Sequence, residues 1–291
     1  MRLTGSIRLF VIFSGAALLL AGCGAPGNQG YTVLEAGYNG VIDDMPQPKH
    51  VLEYAFWSGK NEERKEEPPP DLTVTFHHQS YQGKFDHSGI GLRQIYRTLT
   101  YMGDNVIFEV QDDTKELTLF NPPPLDPEQE AAKPEIGESA CRALADEIMK
   151  EKINLSEYTC RVSLDTEGTQ DQYVFEYMRE IAGMDSADHA SVCISTKGTF
   201  LHFYASMLNR LASVSLQYDQ EKGIAEIEKR LDHIYEPFEY YRYTVGSRQV
   251  VLLDDGRVGV SYMLTIELPP VPDENGNMAH FGDMLELIVL P

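Results

Sequence analysis

The chain has 291 residues and carries 24 basic against 45 acidic side chains, which gives a formal net charge of -21. A surface this acidic is repelled by phosphate backbones and by anionic lipid headgroups, so the charge argues against nucleic acid as a partner. The hydrophobic fraction of 42% is enough for a folded core, so wholesale disorder is excluded as well.

The first thirty residues have the organisation of an export signal. Arg2 and Arg8 precede an apolar stretch over residues 9–21, which is too short to cross a ~30 Å hydrocarbon core as a helix. The stretch ends in "LAGC" and is followed by the small and polar run "GAPGNQG". We interpret residues 1–22 as a cleaved signal peptide and residues 23–30 as a flexible tether.

The sequence "LAGC" resembles the lipobox of bacterial membrane lipoproteins, in which a leucine and two small residues precede an obligatory cysteine. The resemblance implies cleavage between Gly22 and Cys23 and attachment of lipid, palmitate included, to Cys23. Each buried methylene of an acyl chain contributes about 0.8 kcal/mol to membrane binding, so two or more chains anchor a protein stably. We therefore expect the protein at the extracytoplasmic face of the cell membrane, held there through Cys23.

Residues 31–121 are predicted to be rich in β-strands. Alternating polar and apolar residues over 72–85 predict two strands with a turn near Gln79–Gly83. The stretch 105–120 predicts a hairpin around a central Asp-Asp-Thr-Lys turn. Prolines and acidic side chains dominate residues 122–137, which predicts a linker.

Beyond this linker the periodicity of the apolar residues changes. A helix is predicted over 138–152 and is followed by three strands; an amphipathic helix over 220–235 begins the same order again. Each helix is expected to cover one face of an antiparallel sheet. The predicted fold class is therefore α+β, with a β-rich N-terminal region followed by two αβββ units over 138–218 and 219–291.

The first of these units resembles the PepSY type of domain, which occurs in extracytoplasmic bacterial proteins. The resemblance lies in residues 136–205, with a helix "ESACRALADEI", a strand "QYVFEYMREIAG" and "ASVCISTKGTFLHF" in place of the third strand and its glycine turn. Residues 220–290 are a candidate second copy. Because members of the family are mostly non-enzymatic modules, some linked to inhibition or regulation of peptidases outside the cell, the resemblance implies a binding or regulatory role.

Three cysteines remain beyond the predicted lipidation site, namely Cys141, Cys160 and Cys193. A disulfide is permitted outside the cytoplasm, and Cys160 and Cys193 form the candidate pair because both lie on predicted strands. Buried free thiols are the alternative.

Histidines and acidic residues cluster in "HHQSYQGKFDH", which contains His77, His78, Asp86 and His87. This composition is typical of a metal site. However, successive side chains on a strand point to opposite faces, so His77 and His78 cannot bind one ion if both lie on a strand. We therefore predict surface or hairpin histidines, and no metal ligands, here.

The segment "DENGNM", residues 273–278, has the alternating oxygen ligands of Asp273, Asn275 and Asn277 at the start of a calcium-binding loop. The loop also needs a glycine and a bidentate glutamate, and Met278 and Met284 occupy these positions. We predict a polar turn rather than a calcium site.

The sequence lacks the catalytic patterns G-x-S-x-G, S-x-x-K and H-E-x-x-H, and we predict no catalytic residue and no cofactor. The aromatic run "YEPFEYYRY" over residues 235–243 offers one face for the core and the other for a ligand or protein contact. Ordinary packing between strands is the alternative for this run.

The expected function is that of a lipid-anchored extracytoplasmic protein that binds or regulates an envelope protein without catalysis. Two other functions stay open. A solute-binding lipoprotein requires a deep cleft, and an envelope hydrolase requires a nucleophile and a base within hydrogen-bond reach.

Overall fold

The computed structural model describes residues 30–39, 47–54, 67–90, 96–124, 126–167, 170–272, 278–279 and 282–291. Tyr31–Pro291 form one compact unit. The predicted signal peptide and lipidation site, with Gly22 and Cys23, lie outside the described residues. No helix within the described ranges is both long and apolar enough to span a bilayer.

Strands dominate the described residues. The N-terminal strands are β1 (Thr32–Asn39), β2 (Leu72–Phe76), β3 (Gln79–Ile90), β4 (Arg97–Met102), β5 (Ile107–Gln111) and β6 (Leu117–Asn121). The central strands are β7 (Tyr158–Asp165), β8 (Gln172–Ile181), β9 (Met184–Ser195) and β10 (Phe200–Ser206). The C-terminal strands are β11 (Arg242–Leu252), β12 (Val258–Glu267), β13 (Val271–Pro272), β14 (Met278–Ala279) and β15 (Gly282–Leu290). The helices are α1 (Pro127–Ala132), α2 (Gly137–Met149) and α3 (Gln220–Ile234), with a 3-10 turn over Leu155–Glu157.

One mixed sheet of 13 strands runs through the molecule in the order β1-β15-β12-β11-β9-β10-β6-β5-β4-β3-β2, with β8 and then β7 branching from β9. The long strand β9 joins the two halves of this sheet. It pairs with β10 near its C-terminal end, and its Ser186 pairs in parallel with Val250 of β11. Strands β13 and β14 form a separate pair.

The predicted fold class is wrong, because the protein is mainly β and its strands do not divide into two αβββ units. The N-terminal strand β1 pairs with the C-terminal strand β15, from Thr32↔Leu290 to Asn39↔Met284. Strand β6 pairs with β10, which joins the N-terminal region to the centre of the chain. A strand edge presents unpaired N–H and C=O groups, and here strands distant in sequence pair with those edges.

The two predicted amphipathic helices are confirmed, with ends that differ by a few residues. Helix α2 buries Cys141, Ala145 and Ile148 and packs on β8 and β9. Helix α3 buries Ile227 and Leu231 and packs on β1 and β15. The sheet under α3 therefore includes β1, which the prediction had assigned to the N-terminal region.

The two predicted hairpins have different outcomes. The hairpin over 105–120 is confirmed by β5 and β6. In the stretch 72–85, Phe76 pairs with Gln79, so the turn is His77–His78 and lies before the predicted position. Both histidines have positive φ, at 47° and 64°, where turns normally carry Gly, Asn or Asp.

The predicted linker contains α1, and this helix is fixed to the β9–β10 turn. The carboxylate of Glu130 accepts hydrogen bonds from the hydroxyls of Ser195 at 2.6 Å and Thr199 at 2.7 Å. Burial opposes ionisation of Glu130, but these bonds and Lys133 outweigh it and lower its pKa to about 2. The acidic residues of this segment thus include one that attaches the segment to the sheet.

Candidate functional site

A cleft opens between β2, the β5–β6 hairpin and the residues that follow α2. Its volume of about 440 Å³ falls within the ~300–1,000 Å³ typical of ligand pockets. The polar lining residues include Thr73, Thr75, Gln111, Thr118, Lys152 and Asn209. Apolar side chains of Leu72, Val74, Leu117 and Leu208 contribute the rest of the surface.

Two polar groups of the cleft lining are withdrawn from solvent by burial. The hydroxyl of Thr118 is buried and has no hydrogen-bond partner within the described part of the chain. Burial lowers the pKa of Lys152, whose ammonium lies 5.8 Å from the centre of the Phe76 ring. Because a buried polar group without a partner costs about 1–3 kcal/mol, a ligand that binds Thr118 recovers part of this free energy.

One wall of the cleft is held in place by Arg210. Its guanidinium lies 5.3 Å from the centre of the Tyr96 ring and donates a hydrogen bond to the Gln111 side chain. Burial raises the pKa of Tyr96 to about 12, and its hydroxyl accepts a hydrogen bond from the Met207 backbone at 3.3 Å. This wall is therefore positioned before any ligand arrives.

A buried ion pair supports another part of the cleft lining. Asp188 is fully buried and accepts hydrogen bonds from Arg179 Nε at 2.8 Å and from the Tyr158 hydroxyl at 2.6 Å. The same carboxylate accepts a bond from the backbone N–H of Asn209 at 3.0 Å. Asn209 in turn donates to the carbonyl of Lys152 at 3.1 Å. Asp188 thus connects the core to two residues that line the cleft.

At the edge of the cleft, Glu151 approaches the His77–His78 turn, with 3.3 Å between its Oε1 and His78 Nε2. The argument against a metal here assumed that both histidines lie on a strand. They lie in a two-residue turn instead, with ring centres 5.5 Å apart and ring planes inclined by 29°. The assumption of opposite faces is therefore wrong for this pair.

The other members of that predicted cluster lie on β3 and form a different arrangement. His87 Nδ1 bonds to Asp86 at 2.6 Å, and His87 Nε2 lies 3.4 Å from the Thr100 hydroxyl. Thr100 is 4% exposed and lies mid-strand, paired with His87 on one side and Glu109 on the other. The Thr100 hydroxyl, the His87 imidazole and the Asp86 carboxylate follow one another as the groups of a hydrolase site do. However, the contact between Thr100 and His87 is long, and it joins neighbouring strands within the sheet, where Thr100 is paired on both sides.

A second buried polar cluster surrounds His50. Its Nδ1 lies 2.8 Å from Glu35 and its Nε2 lies 2.8 Å from Asp283, which also accepts a bond from the Tyr235 hydroxyl at 2.6 Å. Burial opposes the charged imidazole, but the bonds to Asp283 and Glu35 outweigh it and raise the pKa of His50 to about 9. The cluster connects the segment 47–54 with β1, β15 and the end of α3.

The other charged side chains around His50 are only partly paired with one another. Arg230 Nη2 lies 3.2 Å from Glu53 and 3.7 Å from Glu35. Asp283 Oδ1 and Arg230 Nε are buried without hydrogen-bond partners among the described residues. This cluster was not predicted, although the acidic Glu35 lies among the apolar residues Val33, Leu34 and Ala36 of β1, which is a signal that could have indicated it.

The three cysteines of the folded unit are free. Cys160 lies opposite Tyr177, and Cys193 lies opposite Val174, so β8 separates the two residues proposed as a disulfide. Burial raises the pKa of the Cys193 thiol to about 11. Cys141 donates to the carbonyl of Ser195 at 3.4 Å.

The aromatic run over 235–243 is largely attached to α3. Tyr241 donates to Asp232 at 2.7 Å, Tyr243 donates to Glu228 at 3.2 Å, and Tyr235 is buried. Tyr240 is 46% exposed. Only Arg242 and Tyr243 of the run lie on a strand, so these contacts are with α3 rather than between strands.

The calcium-like segment falls mainly on residues 273–277, outside the described ranges. Met278 lies on β14 and Met284 on β15, where each side chain is about half exposed.

No family model matches the chain, and no curated protein matches it. Among solved structures, the chain shows weak similarity to the Bacillus megaterium YpeB C-terminal domain, with a TM-score of 0.32 and 9% sequence identity. That alignment covers 78% of this chain and 92% of the other.

Proposed function

We propose that the protein is a lipid-anchored extracytoplasmic binding module at the cell envelope, and that it acts without catalysis. The lipobox-like "LAGC" supports the anchor, and the strongly acidic composition supports a partner other than nucleic acid. The observation that carries the binding role is the cleft beside β2, whose Thr118 hydroxyl has no hydrogen-bond partner among the described residues and whose Lys152 is half-buried.

The position of the cleft favours contact with an envelope protein. Strand β2 forms one end of the large sheet and, among the described strands, pairs only with β3, so we propose that its outer edge accepts an added strand. Thr73 and Thr75 are exposed on this strand and line the cleft. A peptide that pairs with β2 can therefore also place a polar group in the cleft.

A photo-cross-linking amino acid at Thr73 tests this proposal in intact cells. We expect a defined adduct with an envelope protein, because Thr73 lies at both the strand edge and the cleft. The matched control replaces Thr244, which is exposed on β11 and does not line the cleft. Identical adducts from both positions, or none from either, contradict binding at the cleft.

The cleft also keeps the solute-binding function open as a second candidate, because its volume suits a small molecule. A small polar molecule that raises the unfolding temperature of the protein, combined with no adduct from Thr73, favours this second function.

Replacing Cys23 by alanine tests the anchor. The variant should leave the membrane fraction, because loss of the thiol removes the attachment point for the acyl chains. The matched control Cys160→Ala removes a thiol of the folded unit and should stay in the membrane fraction. Immunoblots of the two fractions measure the result, and a Cys23→Ala variant that remains with the membrane contradicts the anchor.

A further inference from the structure

The turn between β2 and β3 has an unusual composition. Because Phe76 pairs with Gln79, His77 and His78 are the two residues of the turn, and both have positive φ. Positive φ is uncommon for residues other than glycine, with Asn, Asp and His as the most frequent exceptions. Two such residues in succession are needed for a tight two-residue hairpin turn, and here both carry an imidazole.

The turn places two imidazoles next to a carboxylate from another part of the chain. Glu151 follows the end of α2, and its Oε1 lies 3.3 Å from His78 Nε2. One ligand atom each from His77, His78 and Glu151 lies within 4.8 Å of the other two. The fold therefore brings three metal-ligating side chains together across more than seventy residues of sequence.

One of these side chains has an unused polar atom. Nδ1 of His77 is buried and has no hydrogen-bond partner within the described residues. A buried nitrogen without a partner is rare in folded proteins and is normally explained by a bound water or ion. This observation is independent of the distances between the three ligand atoms.

We propose that His77, His78 and Glu151 bind one divalent transition-metal ion, with Zn²⁺ as the best-matched ion. Imidazole nitrogens and a carboxylate oxygen suit Zn²⁺, whereas Ca²⁺ and Mg²⁺ prefer oxygen ligands throughout. Tetrahedral Zn²⁺ with bonds of about 2.0–2.2 Å brings its ligand atoms to about 3.3 Å from one another. The His78 side chain is 72% exposed and is free to rotate into this geometry.

Three protein ligands leave the fourth position of the ion open. Glu151 also lines the cleft, so a ligand in the cleft can reach this fourth position. The net charge of -21 favours accumulation of cations around the protein. Binding would also link the β2–β3 hairpin to the end of α2 and so stabilise the folded state.

Zinc titration of the purified full-length chain in detergent, without a histidine tag, tests the proposal by isothermal titration calorimetry. We expect one saturable site at neutral pH. The variants His77→Asn, His78→Asn and Glu151→Gln should each weaken zinc binding by about tenfold or more. Asparagine accepts positive φ, so the histidine variants keep the turn while they remove a ligand.

The matched control is His87→Asn. His87 is also an exposed histidine beside a carboxylate, Asp86, but it lies outside the proposed site. This variant should bind zinc as the wild type does, and zinc should raise the unfolding temperature of both. In His78→Asn the same zinc concentration should leave the unfolding temperature unchanged, and far-UV circular dichroism shows whether each variant is folded.

Two results overturn the proposal. One is a wild-type protein without saturable zinc binding, and the other is unchanged affinity in His78→Asn and Glu151→Gln. Because His78 is mostly exposed, its variant remains decisive even where a His77 variant does not fold.

Discussion

Replacing Asp188 by alanine should lower the free energy of unfolding by about 3–5 kcal/mol, because the change removes the buried counter-charge of Arg179 and leaves only Glu157, whose side chain is 44% exposed. The Arg179 side chain is 9% exposed, and its Nε donates to Asp188 at 2.8 Å. The same change also removes the acceptor of the Asn209 backbone N–H and leaves the Tyr158 hydroxyl only the longer contact to Asn209 Oδ1 at 3.3 Å. Urea unfolding at neutral pH measures the loss.

The matched control for this prediction is Asp185→Ala on the same strand. Asp185 forms a bidentate pair with Arg161 at 2.6 Å, but the Arg161 side chain is 49% exposed. Ion pairs at the surface contribute about 1 kcal/mol or less, since water solvates both charges after the pair is broken. Equal losses from the two aspartate variants would show that burial does not determine the contribution of Asp188.

The second large effect concerns pH and His50. The pKa of His50 is raised from 6.5 to about 9 in the folded protein, so the protonated imidazole stabilises the fold. This contribution is complete below pH 6.5 and is lost as the pH rises through about 9. The imidazole is 11% exposed and little screened, and we expect a loss of about 3 kcal/mol across this window.

Urea unfolding of the wild type and of His50→Gln at a series of pH values measures this effect. Glutamine does not titrate, so the difference in unfolding free energy between the two proteins should shrink as the pH rises. His202→Gln is the control, because burial lowers the pKa of His202 and confines its pH dependence to the acid side of 6.5. A wild-type advantage over His50→Gln that stays constant through the window would contradict the prediction.

The candidate site was the least predictable part of the molecule. His77 and His78 were recognised as metal-ligand types, but a strand was expected because the surrounding residues alternate. A two-residue turn with positive φ normally carries Asn or Gly, so the histidines gave no turn signal. Glu151 belongs to a predicted helix end far along the chain, and no periodicity connects it with the turn.

The buried cluster around His50 was also unpredictable, because its residues lie far apart in the sequence. Glu35, His50 and Asp283 come from the two ends of the folded unit, and they meet because β1 pairs with β15. Local patterns report which face of one strand is buried, but they do not report which strands are neighbours. The raised pKa of His50 therefore depends on contacts that no window of the sequence contains.

The sequence alone determined the elements whose signals are local. Helix α3 follows from the helical periodicity of the apolar residues over 220–235. The β5–β6 hairpin follows in the same way from two alternating runs around a polar turn.

Tertiary structure alone decided the single mixed sheet, the attachment of α1, and the meeting of His77 and His78 with Glu151. Each of these depends on hydrogen bonds and contacts between distant segments. They form because strand edges and buried polar groups need hydrogen-bond partners, and in the folded chain these partners come from distant segments.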